Sequence, residues 1–130
     1  MTFFAFFVTG FGAFLGACLR YVFGLTLNPL FPTIPLGTLA SNLLGGLIMG
    51  LTLGAFEQFS ALAPETRLFI TTGFLGGLTT FSTFSGETVT LLLRQEYFWT
   101  AAIIGLHLIG SLGMTLLGFV IARILLRSLA

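Results

Sequence analysis

Four long apolar runs, separated by short polar or proline-rich links, take up nearly the whole of this chain and restrict it to one environment. About 20 residues of helix cross the hydrocarbon core of a bilayer, and tilt accommodates more. The runs extend from about Phe3 to Leu27, Gly37 to Phe56, Leu68 to Leu93 and Phe98 to Leu126. Between the first two lies Asn28-Pro29-Leu30-Phe31-Pro32-Thr33-Ile34-Pro35. Its three prolines withhold backbone donors and disfavour helix, so a loop is expected there. A polar link from Glu57 to Arg67, containing Pro64, precedes the third run, and Arg94-Gln95-Glu96 closes it. Tyr97 and Trp99 stand at the start of the fourth, where interfacial aromatic anchors belong. The expected fold is all-α: an integral membrane protein with one four-helix domain over residues 1–130 and no soluble module.

Composition bears on what such a chain can do. Only 7% of its residues are charged and 56% are hydrophobic, with no Lys and no Asp. Soluble domains carry about a quarter charged residues, and a soluble surface cannot be covered with so few. A net charge of +1 without a basic cluster excludes a nucleic-acid partner. Cys18 stands alone, which excludes an intramolecular disulfide and a cysteine zinc site. The first basic residue is Arg20, so the N-terminal run lacks the charged region of a signal peptide and is expected to be a retained span.

Four spans put Arg67, Arg123 and Arg127 on one side, against Arg94 and Arg20 on the other. Three against two is a weak bias under the positive-inside rule. Two readings follow: one extra arginine orients the chain, or it inserts both ways and pairs with an inverted copy. Glycines four apart (Gly12 and Gly16; Gly46, Gly50 and Gly54; Gly73 and Gly77) let helix backbones approach closely in lipid. They support assembly between subunits or, equally, packing within one.

The third run is weakest at its centre. There Gly73-Phe74-Leu75-Gly76-Gly77 leads into Thr79-Thr80-Phe81-Ser82-Thr83-Phe84-Ser85, and Gly, Thr and Ser are all poor helix formers. A break near the middle is expected. Carbonyls freed by a break need a partner, and a buried cation would satisfy them. Phenyl edges carry partial positive charge, so Phe81 and Phe84 alternating with hydroxyl donors suit a small anion without a full cation. Conduction requires such weak, multiple sites. Elsewhere in the spans, Asn42 needs a partner for its amide, from another helix or from a ligand. His107, Ser111 and Thr115 stand four apart and so share one helical face. Glu87 is open to three uses: pairing with Arg20, bonding to a hydroxyl, or carrying protons. The residues alone point to a small-ion pathway.

The chain resembles the CrcB/Fluc family of fluoride channels. The residues that carry the resemblance are Gly16-Ala17-Cys18-Leu19-Arg20-Tyr21, Pro35 to Asn42 with Gly45, and Thr72 to Ser85 with Glu87. What the resemblance implies is an antiparallel, dual-topology homodimer with two fluoride pores in a bacterial inner membrane, exporting fluoride passively and catalysing no reaction. It further implies that Phe81 and Phe84 line the pore beside Ser82 and Thr83, and that Asn42 helps hold fluoride. Ser111 and Thr115, with His107, would form a polar track, and Arg20 would stand at an aqueous vestibule. A central structural sodium ion would be held by backbone carbonyls of Gly76 and Thr79 from both subunits. The competing reading is a small proton-coupled exporter of the four-helix dual-topology type. Those transporters rely on a carboxylate in the first helix, which this chain lacks, so Glu87 alone keeps that reading open.

Overall fold

The computed structural model describes residues 2–129, most of them helical and none of them in a strand. Helix α1 (Phe3–Leu27) runs without interruption into a short 3-10 turn at Asn28–Leu30. The prolines keep the next residues out of helix until α2 (Leu36–Gln58) begins. Asn28 closes this loop: its Oδ1 accepts the Gly37 N–H at 2.7 Å, satisfying one of the donors that a helix start leaves free.

The third segment starts earlier than the sequence suggests. Helix α3 (Pro64–Leu68) occupies the end of the expected polar link, with Pro64 in its first turn and Glu65 beside it. Proline loses nothing at a helix start, and an acidic residue there complements the helix dipole. The chain then widens into a π-helical stretch, Phe69–Leu75, and tightens again in α4 (Gly76–Leu78). Thr79 and Thr80 are extended, and α5 (Phe81–Leu93) follows. The helix is therefore interrupted at Thr79–Thr80, within the stretch of lowest helix propensity. Helix α6 (Tyr97–Arg127) completes the chain.

The turn from α5 to α6 is tight. Gln95 takes a left-handed φ of 59°, while Glu96 N–H donates to Leu91 O and Gln95 N–H to Leu92 O, both at 3.0 Å. This is the Schellman closure, usually built on glycine.

Three helices are long and apolar enough to cross a membrane: the segment Phe3–Leu30, α2 and α6. Large apolar side chains such as Phe3, Phe7, Leu112 and Leu116 point outward, as they must when lipid is the solvent, and the protein is a multi-pass membrane protein. The fourth apolar segment is the broken one, Pro64 to Leu93.

Glycines join the helices in two pairs. A Cβ on Gly16 would run into the Phe74 carbonyl, and one on Gly77 into the Ala13 carbonyl, so α1 lies directly on the π-helical stretch and α4. A Cβ on Gly50 would strike the Thr115 carbonyl and one on Gly118 the Leu47 carbonyl, so α2 lies equally close to α6. The four-residue glycine spacing thus serves contacts between helices of this one chain. Ile34, Phe84, Leu91 and Ile103 form a small apolar cluster that holds the proline loop against α5 and α6, with Trp99 packed on its edge.

Candidate functional site

The break in the third segment is held open by specific hydrogen bonds. In an uninterrupted helix the N–H groups of Thr80 and Thr83 would reach the carbonyls of Gly76 and Thr79, four residues back. Here the Thr80 N–H donates instead to Asn42 Oδ1 at 2.8 Å. The Thr83 N–H donates to Thr80 Oγ1 at 3.1 Å, so Thr80 is the N-cap of α5. The carbonyls of Gly76 and Thr79 lose their helical donors as a result. That of Gly77 gains another, since Arg20 Nε donates to it at 3.0 Å. The same threonine gathers neighbouring hydroxyls, with its Oγ1 2.9 Å from Thr83 Oγ1 and 3.3 Å from Ser82 Oγ.

Asn42 has a fixed orientation. Its Oδ1 takes a backbone N–H, and its Nδ2 donates to the Thr80 carbonyl at 3.1 Å, so the amide cannot be flipped. The second Nδ2 hydrogen faces His107 Nδ1 at 2.9 Å. Nδ1 must then accept, which puts the proton of the neutral imidazole on Nε2. Nε2 is buried and finds no partner among the described residues.

His107 stacks on Phe84, with ring centroids 4.6 Å apart, and Phe84 meets Phe81 edge to face at 5.5 Å. Though only three residues apart, the two phenyl rings differ in environment. Phe84 is 6% exposed, within the apolar cluster, whereas Phe81 is 72% exposed on an open face of the chain.

A cavity of about 460 Å³ opens on that face. It brings together Asn42, Gly76, Thr79, Phe81, Phe84, His107, Ser111 and Thr115, eight of the eleven positions marked in the sequence. The Thr115 hydroxyl hydrogen is directed back to the Ser111 carbonyl at 2.9 Å. Arg20 and Thr83 line a second cavity of about 360 Å³, beside Asn28 and Thr38. Ser82 lines neither cavity and is tied only to Thr80. No Asp or Glu lines either cavity among the described residues.

Two residues outside the marked set belong to this arrangement. Thr80 touches both cavities and supplies the backbone groups that Asn42 holds; a threonine suits the N-cap that it forms. Thr38 is buried and donates to Glu87 Oε1 at 2.6 Å. Glu87 thus bonds to a hydroxyl, and Arg20 is directed to the Gly77 carbonyl instead of to it. Nothing local in the sequence pairs positions 38 and 87.

The family model described as "CrcB-like protein, Camphor Resistance (CrcB)" matches residues 7–119. A fluoride-specific ion channel FluC of Nitrosospira multiformis is 64% identical over 114 residues, covering 88% of this chain and 89% of its own. The FluC of Aromatoleum aromaticum is 54% identical over 115 residues, with 88% of both chains covered. That of Burkholderia cenocepacia is 54% identical over 112 residues, covering 86% of this chain and 88% of the relative. With a match of this extent, the protein belongs to the CrcB family.

Proposed function

We propose that this protein is a fluoride channel of the bacterial inner membrane, exporting fluoride passively from the cytoplasm. The observation that carries the reading is the cavity beside Asn42, which gathers an amide, an imidazole, hydroxyls and two phenyl rings around one space without a formal charge. Fluoride is small and strongly hydrated, and it enters a membrane only where donors replace its water closely. Phenyl edges at Phe81 and Phe84 offer partial positive charge, and the Nε2–H of His107 is a buried donor without an acceptor among the described residues. Both Asn42 Nδ2 hydrogens are committed to Thr80 and His107, so in this state Asn42 orients those groups. Ser111 and Thr115 continue the polar surface along α6, and Arg20 with Thr83 lines the vestibule cavity.

The broken segment is then the fourth span, and the cavity is open because a second copy closes it. An inverted copy would face Gly76 and Thr79 with its own Gly76 and Thr79. Four carbonyls without helical donors suit a sodium ion, a hard cation that takes oxygen ligands. Such an ion would supply fixed positive charge at the point where fluoride is least hydrated. The homodimer, its dual topology and the sodium ion all follow from this reading.

The test is fluoride efflux from liposomes containing only this protein. A channel releases fluoride when a potassium ionophore balances charge, and it needs no pH gradient. Efflux that requires a proton gradient and ignores membrane potential identifies a coupled exporter instead.

A further inference from the structure

Away from the cavity beside Asn42, the last turns of α2 and α6 enclose a smaller space of about 200 Å³. Its walls are Gly54, Glu57 and Gln58 on one side and Arg123, Leu126 and Arg127 on the other. It lies where both apolar helices end, and the end of a spanning helix is where lipid headgroups are met. Arg123 is held in place: its Nε is 3.6 Å from Glu57 Oε2, and its guanidinium lies 5.4 Å from the centre of the Phe119 ring. The contact with Glu57 uses Nε, which leaves both terminal nitrogens for another acceptor. Arg127 stands one turn further on and has no carboxylate partner among the described residues. Two guanidinium groups against one carboxylate leave one positive charge in surplus at this cavity.

We propose that this is a headgroup site for a phospholipid whose net charge is minus one, such as phosphatidylglycerol. Arg123 and Arg127 grip the phosphodiester, since planar guanidinium groups match phosphate oxygens in pairs. Gln58 lines the same space and offers an amide to the glycerol hydroxyls. Glu57 limits the charge accepted: it repels a second negative charge, which disfavours free phosphate dianion and polyphosphorylated headgroups. The acyl chains have a path, because Leu116, Val120 and Ile124 form an exposed apolar stripe leading up to Arg127 on α6, with exposed Leu53 on α2. The site lies within one chain and does not depend on the fluoride reading.

Native mass spectrometry of the purified protein tests this, after exchange into mixed micelles containing phosphatidylglycerol or phosphatidylcholine with identical acyl chains. Phosphatidylglycerol is expected to remain bound in preference, by about fivefold for each arginine engaged. Arg127→Gln, at an exposed position, removes about fivefold of that preference, and Arg123→Lys weakens retention although it keeps the charge. Equal retention of the two lipids, or a preference unchanged in the R123Q/R127Q double variant, overturns the site. Inorganic phosphate alone is expected to leave the melting temperature unchanged. If it protects as well as phosphatidylglycerol does, the lipid assignment is wrong.

Discussion

The side chain of Asn42 grips the backbone of Thr80 at both of its polar groups, accepting its N–H at 2.8 Å and donating to its carbonyl at 3.1 Å. A residue of α2 thereby performs, for one extended residue in a broken helix, the pairing that a neighbouring strand performs in a sheet. The break needs this partner, because unpaired backbone groups are costly where lipid surrounds the helices.

Asn42→Ala is therefore expected to destabilise the fold. Two backbone groups of Thr80 and the Nδ1 of His107 lose their partner together, at about 1–3 kcal/mol for each buried group. Asn42→Asp separates the roles: it keeps the acceptor for the Thr80 N–H but removes both donated hydrogens. Thermal unfolding in detergent should rank wild type above Asp and Asp above Ala. Equal melting temperatures for all three would mean that the break is held by something else.

The two phenylalanines should part company in the same assay. Phe84→Ala removes a buried ring stacked on His107, and about 3 kcal/mol of stability should go with it. Phe81 is exposed and loses only its edge-to-face contact with Phe84, so Phe81→Ala should cost the fold no more than about 1 kcal/mol. Its effect belongs to transport: losing one phenyl edge worth about 1 kcal/mol to the ion slows efflux about fivefold. A Phe81 variant that folds and conducts at the wild-type rate would remove that ring from the pathway.

The sequence revealed this arrangement unevenly, for physical reasons. Local propensity is written in neighbouring residues, so the weakness at Thr79–Thr80 could be read directly from the glycines, threonines and serines around it. The need of Asn42 for a partner was equally plain, since an amide in lipid must bond to something. That the partner is Thr80, 38 residues away, depends on how α2 lies against the break, and no short-range pattern carries that. The start of α3 was missed although Pro64 and Glu65 make a good helix opening, because the surrounding polar residues suggested a loop. Glycine spacing showed that backbones come close without showing whose, and the contacts lie between helices of this one chain.

Those contacts predict opposite outcomes for two similar substitutions. A Cβ at Gly50 meets the Thr115 carbonyl, which belongs to a helix backbone and cannot yield, so Gly50→Ala should force α2 and α6 apart. The expected loss is about 1–3 kcal/mol, the usual cost of overpacking. At Gly10 an added Cβ meets nothing within 4 Å, and Gly10→Ala should be neutral or gain up to about 1 kcal/mol from helix propensity. Melting temperatures of the two variants beside wild type decide the matter, and a well-folded Gly50→Ala would show that the seam is looser than described.

The turn at Gln95 offers a prediction of gain. Its φ of 59° lies in the left-handed region, where a side chain costs roughly 1 kcal/mol relative to glycine. The hydrogen bonds that close the turn come from backbone atoms of Gln95 and Glu96, so they survive a change of side chain at position 95. Gln95→Gly should therefore raise stability by roughly 1 kcal/mol, offset in part by the greater freedom of glycine in the unfolded chain. Gln95→Val should lower it, since a β-branched residue is the least tolerant of this conformation. The turn lies outside both cavities, so fluoride efflux per folded protein should match wild type in each variant. A Gln95→Val variant as stable as Gln95→Gly would mean that the turn relaxes to another conformation at no cost.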